Sequence, residues 1–254
     1  MNKTNDNFEK ESDRGYIFGR NAVLEAIRSG REIDRLYVLK GNTAGALVPI
    51  IEKCRAKKIP VKEVPSQKLD FMSGNQTHQG VIASVAAKEY CSLEDILNTA
   101  KEKGTSPFVI ICDGLEDPHN LGAIIRTAEA TGVDGIIIPR HRSVSVNATV
   151  AKSASGALEY MNVCKVTNIP NTIDELKNNG FWVYAADMDG QNWFEPDFKG
   201  ATAIVIGSEG NGVSRLVKDK CDGVISMPMC GKINSLTASV AAGVLMYEVA
   251  KQRL

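Results

Sequence analysis

Two loops near the C-terminal end of the 254-residue sequence hold the residues best suited to chemistry. An apolar run, Ala203 to Ile206, stops at Gly207 and is followed by Gly210 and Gly212, with Glu209 among them. The pattern predicts a buried strand ending in a glycine loop, where positive φ is accessible and a ligand can approach main-chain amides. About twenty residues on, a second strand, Gly223 to Met227, runs into Pro228. A second loop, Cys230 to Asn234, then ends at Ser235, a residue suited to cap the last helix. Either a pocket lined by backbone groups lies between these loops, or they are two ordinary tight turns. The glycine order argues against a nicotinamide oxidoreductase, whose fingerprint Gly-x-Gly-x-x-Gly follows the first strand of its unit.

Further candidates lie upstream. A buried strand, FVIIC, ends at Asp113 and Gly114, and the polar loop GLEDPHN leads into a helix from Leu121 to Thr131. Asn120 stands at its start and Arg126 sits among apolar neighbours. Asn120 alone reads as a cap and Arg126 alone as a surface arginine. With the strand Gly135 to Ile138 the segment forms a βαβ unit, hence a parallel sheet with right-handed crossovers. The tract 144–156 predicts a helix rich in small residues, packed within the sheet domain or across a subunit contact. A strand over Val163 to Val166, a helix over Thr172 to Asn178 and a strand over Phe181 to Asp187 follow. Trp193 and Phe194 read first as packing residues. The elements sum to a five- or six-stranded, mostly parallel sheet with helices on both faces, whose ligand belongs beyond the carboxyl ends of the strands. The loops after Asp113, Ile206 and Met227 all leave such ends, so Asn120, Arg126, Glu209 and Ser235 are candidates for one site.

The first third builds something smaller. Residues 1–14 are polar and expected to be a disordered tail. A helix from Phe18 to Gly30, a strand Arg35 to Leu39, a helix Ala46 to Lys57, a strand Pro60 to Val64, a helix Ser66 to Met72 and a strand Gly80 to Ala86 make an alternating α/β domain over 15–90. His78, in the loop before the last strand, reads as a solvated residue or as a contact to phosphate or base. Residues 91–106 form a linker and a helix capped by Ser92, and 107–254 the sheet domain. Hydrophobic residues make up 43% and charged residues 24%, the composition of a globular chain. No apolar stretch reaches a membrane span and the N-terminus is not signal-like, so the expected location is cytoplasmic. The six cysteines form no C-x-x-C pair and read as small hydrophobes in a reducing compartment, Cys230 being the one in a candidate loop. No metal cluster is expected. Net charge is zero, but residues 1–90 carry 15 Lys/Arg against 11 Asp/Glu, a mildly basic third that allows a polyanionic partner.

Taken together, NLGAIIRTAEATG, IVIGSEGNGV and ISMPMCGKINSLTASVAAG resemble the three ordered motifs of the SpoU (TrmH-like) family of RNA ribose 2′-O-methyltransferases. Residues 15–90, with GRNAVLEAI and HQGVIA, resemble the L30e-like RNA-binding domain of the ribosomal-RNA guanosine methyltransferases in that family. The resemblance implies a C-terminal trefoil knot, S-adenosyl-L-methionine as cofactor, a homodimer with active sites near the subunit interface, and a large-subunit ribosomal RNA guanosine as substrate. Transfer RNA is the alternative substrate, and a catalytically weak RNA-binding or ribosome-assembly factor the alternative role. By position, Gly207, Met227 and Leu236 match cofactor-binding residues, and Arg126, Asn120, Glu209 and Ser235 the catalytic constellation. The third motif departs from the family's Ser-Leu-Asn, reading Ser235, Leu236, Thr237.

Overall fold

The computed structural model describes residues 14–41, 45–86 and 88–254, so the tail expected over 1–14 lies, but for Arg14, outside the described residues. The chain divides into two compact units, one comprising Met1–Glu89 with Val146–Tyr160, the other Tyr90–Ser145 with Met161–Leu254.

In the first unit β1 (Arg14–Phe18), α1 (Arg20–Arg28), β2 (Ile33–Leu39), α2 (Val48–Ala56), β3 (Val61–Val64), α3 (Ser66–Met72) and β4 (Val81–Ala86) build a four-stranded sheet in the order β1-β4-β2-β3. β4 runs antiparallel to both neighbours, while β2 and β3 are parallel. Strand alternation sorts the side chains by face. Ile17, Leu36, Val38, Val81, Ala83 and Val85 join Val23, Ile27, Ile50 and Cys54 of α1 and α2 in one core layer. Phe18, Ile82 and Val64 meet Leu69 of α3 in the other. A strand covered on both faces reads as a continuous apolar run, as VIASVA does. The sequence reading began a helix near Phe18 and missed β1, whose five residues give alternation too few positions to register. His78 is not a solvated loop residue. The Gly80 amide donates to its Nδ1 (3.0 Å), which leaves Nε2 as the donor to Asp70 Oδ1 (3.1 Å).

The tract 146–160 departs from both expectations for it: it packs on the first unit. Its helix is shorter than expected, α6 (Ala148–Ser153), capped by Asn147 Oδ1 accepting from the Val150 amide at 2.9 Å. Small side chains bring α6 against β1, with Lys152 Nζ 5.4 Å from the Phe18 ring centre. Gly156 takes φ +100° beside Glu25, where a Cβ would collide with the glutamate side chain. Arg31 pairs with Glu159 (2.6 Å) and the Tyr160 hydroxyl donates to Glu25 (2.9 Å).

The second unit holds α4 (Leu93–Lys103), β5 (Phe108–Asp113), α5 (Pro118–Ala130), β6 (Gly135–Pro139), β7 (Val163–Val166), α7 (Ile169–Asn178), β8 (Trp182–Asn192), β9 (Thr202–Gly207), α8 (Arg215–Lys218), β10 (Gly223–Ser226) and α9 (Ala238–Arg253). Its six strands are all parallel, in the order β10-β8-β9-β5-β6-β7, an α/β fold of the kind expected. α4 begins at a capping box: Ser92 Oγ accepts from the Asp95 amide (3.1 Å) and Asp95 Oδ2 from the Ser92 amide (2.7 Å). Such a cap contributes about 1 kcal/mol. α4 and α7 cover one face through Leu93, Ile96, Ile169, Ile173 and Leu176, and α9 packs on α5 and β9. Asp113 pairs in register with Gly207, so the central strands β5 and β9 end level and open their loops side by side. Among the described residues no helix is long and apolar enough to cross a membrane, and no group of three His, Cys, Asp or Glu is placed to hold a metal ion.

Candidate active site

Asp117, not Asn120, caps α5, its Oδ1 accepting from the His119 amide at 2.8 Å, with Pro118 in the first helical position. The difference matters because Asn120 is then inside the first turn, with its amide free for tertiary use. Asn120 is buried. Its Nδ2 donates to Glu209 Oε1 and to Asp117 Oδ2 (3.3 Å), and its Oδ1 accepts from Ser239 Oγ at 2.6 Å. Two carboxylates can only accept, so they fix the amide with nitrogen toward them, and Ser239 must be the donor on the other side.

Glu209 rides the loop after β9. That loop is closed by a pair of backbone bonds between Ser208 and Gly212 (3.1 and 2.9 Å) and tied to β5 by Asp113 Oδ2 accepting from the Ser214 amide at 2.8 Å. Gly207 admits no side chain, because a Cβ there would collide with the backbone of Gly212 and Val213. The facing wall comes from β10. Past Ser226 the chain runs through Met227 and Pro228 into an exposed stretch that ends where α9 begins. Thr237, with φ −61° and ψ 147°, is the cap residue, so Ser235 does not cap the helix as the sequence suggested. The extended backbone of Thr237 sets the boundary, and Ser235 stays exposed in the loop.

Between the two walls lies a cavity of about 660 Å³ lined by Gly207, Glu209, Met227, Ser235 and Leu236 together with Asp187 at the carboxyl half of β8. Five of the seven sequence candidates thus share one cavity, and Asn120 joins through Glu209. Arg126 does not line it. It lies six residues beyond Asn120, about 9 Å along the helix axis and on another face, exposed to solvent. Among the described residues, the only ionisable side chains on the lining are the carboxylates of Asp187 and Glu209. Asp187 pairs with Lys218 and accepts from the Met188 amide (2.7 Å).

Sequence reasoning missed Asp117, Asp187 and Ser239. Asp117 before Pro118 was a readable cap signal, whereas Ser239 has no local mark in the run TASVAAG. Cys230 is exposed rather than packed, unlike Cys54, Cys112 and Cys164. Burial pushes the Cys112 thiol up to about 12, with Asp113 adding to the rise.

Residues 107–247 match the model of the SpoU rRNA methylase family, and residues 16–91 match that of the RNA 2′-O ribose methyltransferase substrate-binding domain. The chain is 47% identical to YacO of Bacillus subtilis (strain 168), a protein named for the TrmH family of tRNA/rRNA methyltransferases, over 94% of this chain and 96% of that one. Among solved structures it resembles the SpoU methyltransferase AviRb from Streptomyces viridochromogenes, solved with AdoMet, at TM-score 0.79 and 22% identity over 97% and 93% of the two chains. It also resembles an rRNA methyltransferase from Sinorhizobium meliloti at TM-score 0.78 and 22% identity, over 96% and 90%.

Proposed function

The chain belongs to the SpoU family of RNA methyltransferases, and on that premise we propose that its cavity binds S-adenosyl-L-methionine and directs methyl transfer to the ribose 2′-hydroxyl of a large-subunit ribosomal RNA guanosine. The observation that carries the reading is the cavity closed between the β9 loop and the loop after β10, with Glu209 on its lining and Asn120 behind it. Its chemistry suits that cofactor. Both ionisable lining groups are carboxylates, favourable to a sulfonium, and Gly207, Met227 and Leu236 offer main chain to an adenosyl group.

When bound, S-adenosylmethionine supplies a methyl group on a sulfur that departs as a neutral thioether. The protein's work is then to place the 2′-oxygen in line and to accept one proton, and positioning alone supplies much of the rate. Glu209 uses Oε1 for Asn120, and its Oε2 has no hydrogen-bond partner among the described residues, so it is the carboxylate oxygen we assign to the 2′-hydroxyl proton. Ser235 orients the ribose from the opposite wall. Arg126 positions an RNA phosphate and the hydroxyl beside it, since a guanidinium is a poor base. Its distance from the cavity supports a homodimer: α5 and α9 border an apolar groove of about 670 Å³ lined by Ala123, Thr127, Val240, Gly243, Val244 and Tyr247, where a second copy would seat and bring Arg126 to an active site. The family's trefoil knot is consistent with β10 returning outside β8 and α9 folding back on α5.

Ribosomal RNA is favoured over transfer RNA because likeness to the Sinorhizobium rRNA methyltransferase extends through the first unit. Labelled methyl transfer to unmodified ribosomal and transfer RNA, followed by mapping of ribose methylation, tests the reading. A single labelled ribosomal position is expected. Cofactor binding without transfer to either RNA would point to an RNA-binding or assembly factor, with Thr237 as the first residue to convert to asparagine.

A further inference from the structure

The cavity offers carboxylates to a cationic cofactor but, among the described residues, no cation on its lining to meet a polyanionic RNA. An exposed run of positive charge in this unit is the segment leaving the carboxyl end of β6. Arg140, His141 and Arg142 are consecutive and exposed, and among the described residues no hydrogen bond or ion pair holds any of their side chains. Their backbone, by contrast, is fixed. The Arg140 amide donates to Val166 O (2.8 Å), and Ser143 Oγ and the Val144 amide both donate to Leu115 O (2.9 and 2.8 Å). Leu115 belongs to the β5–α5 loop that leads to Asn120, and it is buried. The Arg142 carbonyl and Ser208 Cβ each lie 4.0 Å from the point where a Cβ on Gly114 would stand. The basic segment is therefore bonded to the β5–α5 loop, and its Arg142 carbonyl and Ser208 of the β9 loop flank Gly114.

Arg142 also takes φ +55°, a left-handed conformation that costs a side-chain-bearing residue energy and clusters at functional positions. Rigid backbone with unengaged guanidinia is an arrangement for bidentate phosphate contact, because little ordering is left to be done on binding. We infer that Arg140–Arg142 is a phosphate-docking segment that holds the RNA strand flanking the target ribose. The inference rests on the reading of the cavity as the site of methyl transfer to RNA.

The test is binding of unmodified ribosomal RNA to the full chain across a salt series, with methyl-transfer kinetics and S-adenosylhomocysteine binding measured alongside. Arg142→Gly removes the charge while suiting φ +55°, and Arg140→Gln removes the other; Arg142→Lys restores charge at the same backbone. Each neutral variant is expected to raise the RNA KM by about tenfold and to reduce the slope of log affinity against log salt by about 0.7 to 0.9, with homocysteine-product affinity unchanged and Arg142→Lys recovering the slope. Unchanged slopes in both neutral variants, or a loss confined to kcat, would overturn the docking role. A wild-type chain that binds RNA with the expected slope but transfers no methyl group would overturn the methyltransferase reading and leave the docking segment standing.

Discussion

Asn120 is held by three side chains from separate segments, and each imposes a different demand on it. Asp117 and Glu209 require its nitrogen, and Ser239 supplies the hydrogen for its oxygen. Ser239→Ala leaves that oxygen without its donor and releases the amide to swing. We expect kcat to fall by about tenfold, about 1.4 kcal/mol, while S-adenosylhomocysteine affinity measured by calorimetry stays the same; unchanged kcat would show that Ser239 does not orient Asn120. Arg126→Ala should abolish methyl transfer and spare cofactor affinity, because Arg126 lies off the cavity lining. Wild-type turnover in that variant would remove it from the mechanism. The residue scale is also where the sequence was least informative. Ser239 and Asn120 are 119 positions apart, and no local pattern connects a serine in an apolar helix to an amide in another.

At the scale of elements the sequence spoke more clearly. The runs FVIIC and AIVI announced β5 and β9 because a strand buried on both faces has no polar positions to interrupt it. The start of α9 was misplaced because Ser235 and Thr237 carry the same hydroxyl signal two residues apart, and only the backbone decides between them. The other end of α9 is decided by Arg253. Its guanidinium donates to the carbonyls of Ser106 (2.7 Å), Phe198 (2.8 Å) and Gly200 (2.6 Å) and lies 5.3 Å from the Phe108 ring centre. Burial draws its pKa below the usual arginine value, yet it remains a cation at any working pH. Arg253→Ala strands those carbonyls and should cost about 1.5 to 3 kcal/mol, read as a lower urea midpoint with unchanged slope. A midpoint equal to wild type would mean that water replaces the guanidinium without loss.

For the whole molecule, nothing in composition or motif order marks the first unit as discontinuous in sequence. Small residues in 144–156 signalled close packing but pointed to the sheet domain or a subunit contact instead of the first unit, since packing partners are a property of the assembled chain. A fragment of residues 1–90 lacks the segment that covers β1, and it should unfold without a cooperative transition by circular dichroism, whereas a cooperative transition equal to that of the intact unit would make the segment an ornament. The same discontinuity sets a timetable during synthesis. The face built on Phe18 and Ile82 cannot be completed until α6 has been made. With translation at about 5 to 20 residues per second, some 70 residues after Glu89 correspond to about 4 to 14 s. Over that interval Phe18 lacks the part of its cover that α6 supplies, and the nascent chain presents the kind of apolar patch a ribosome-associated chaperone binds.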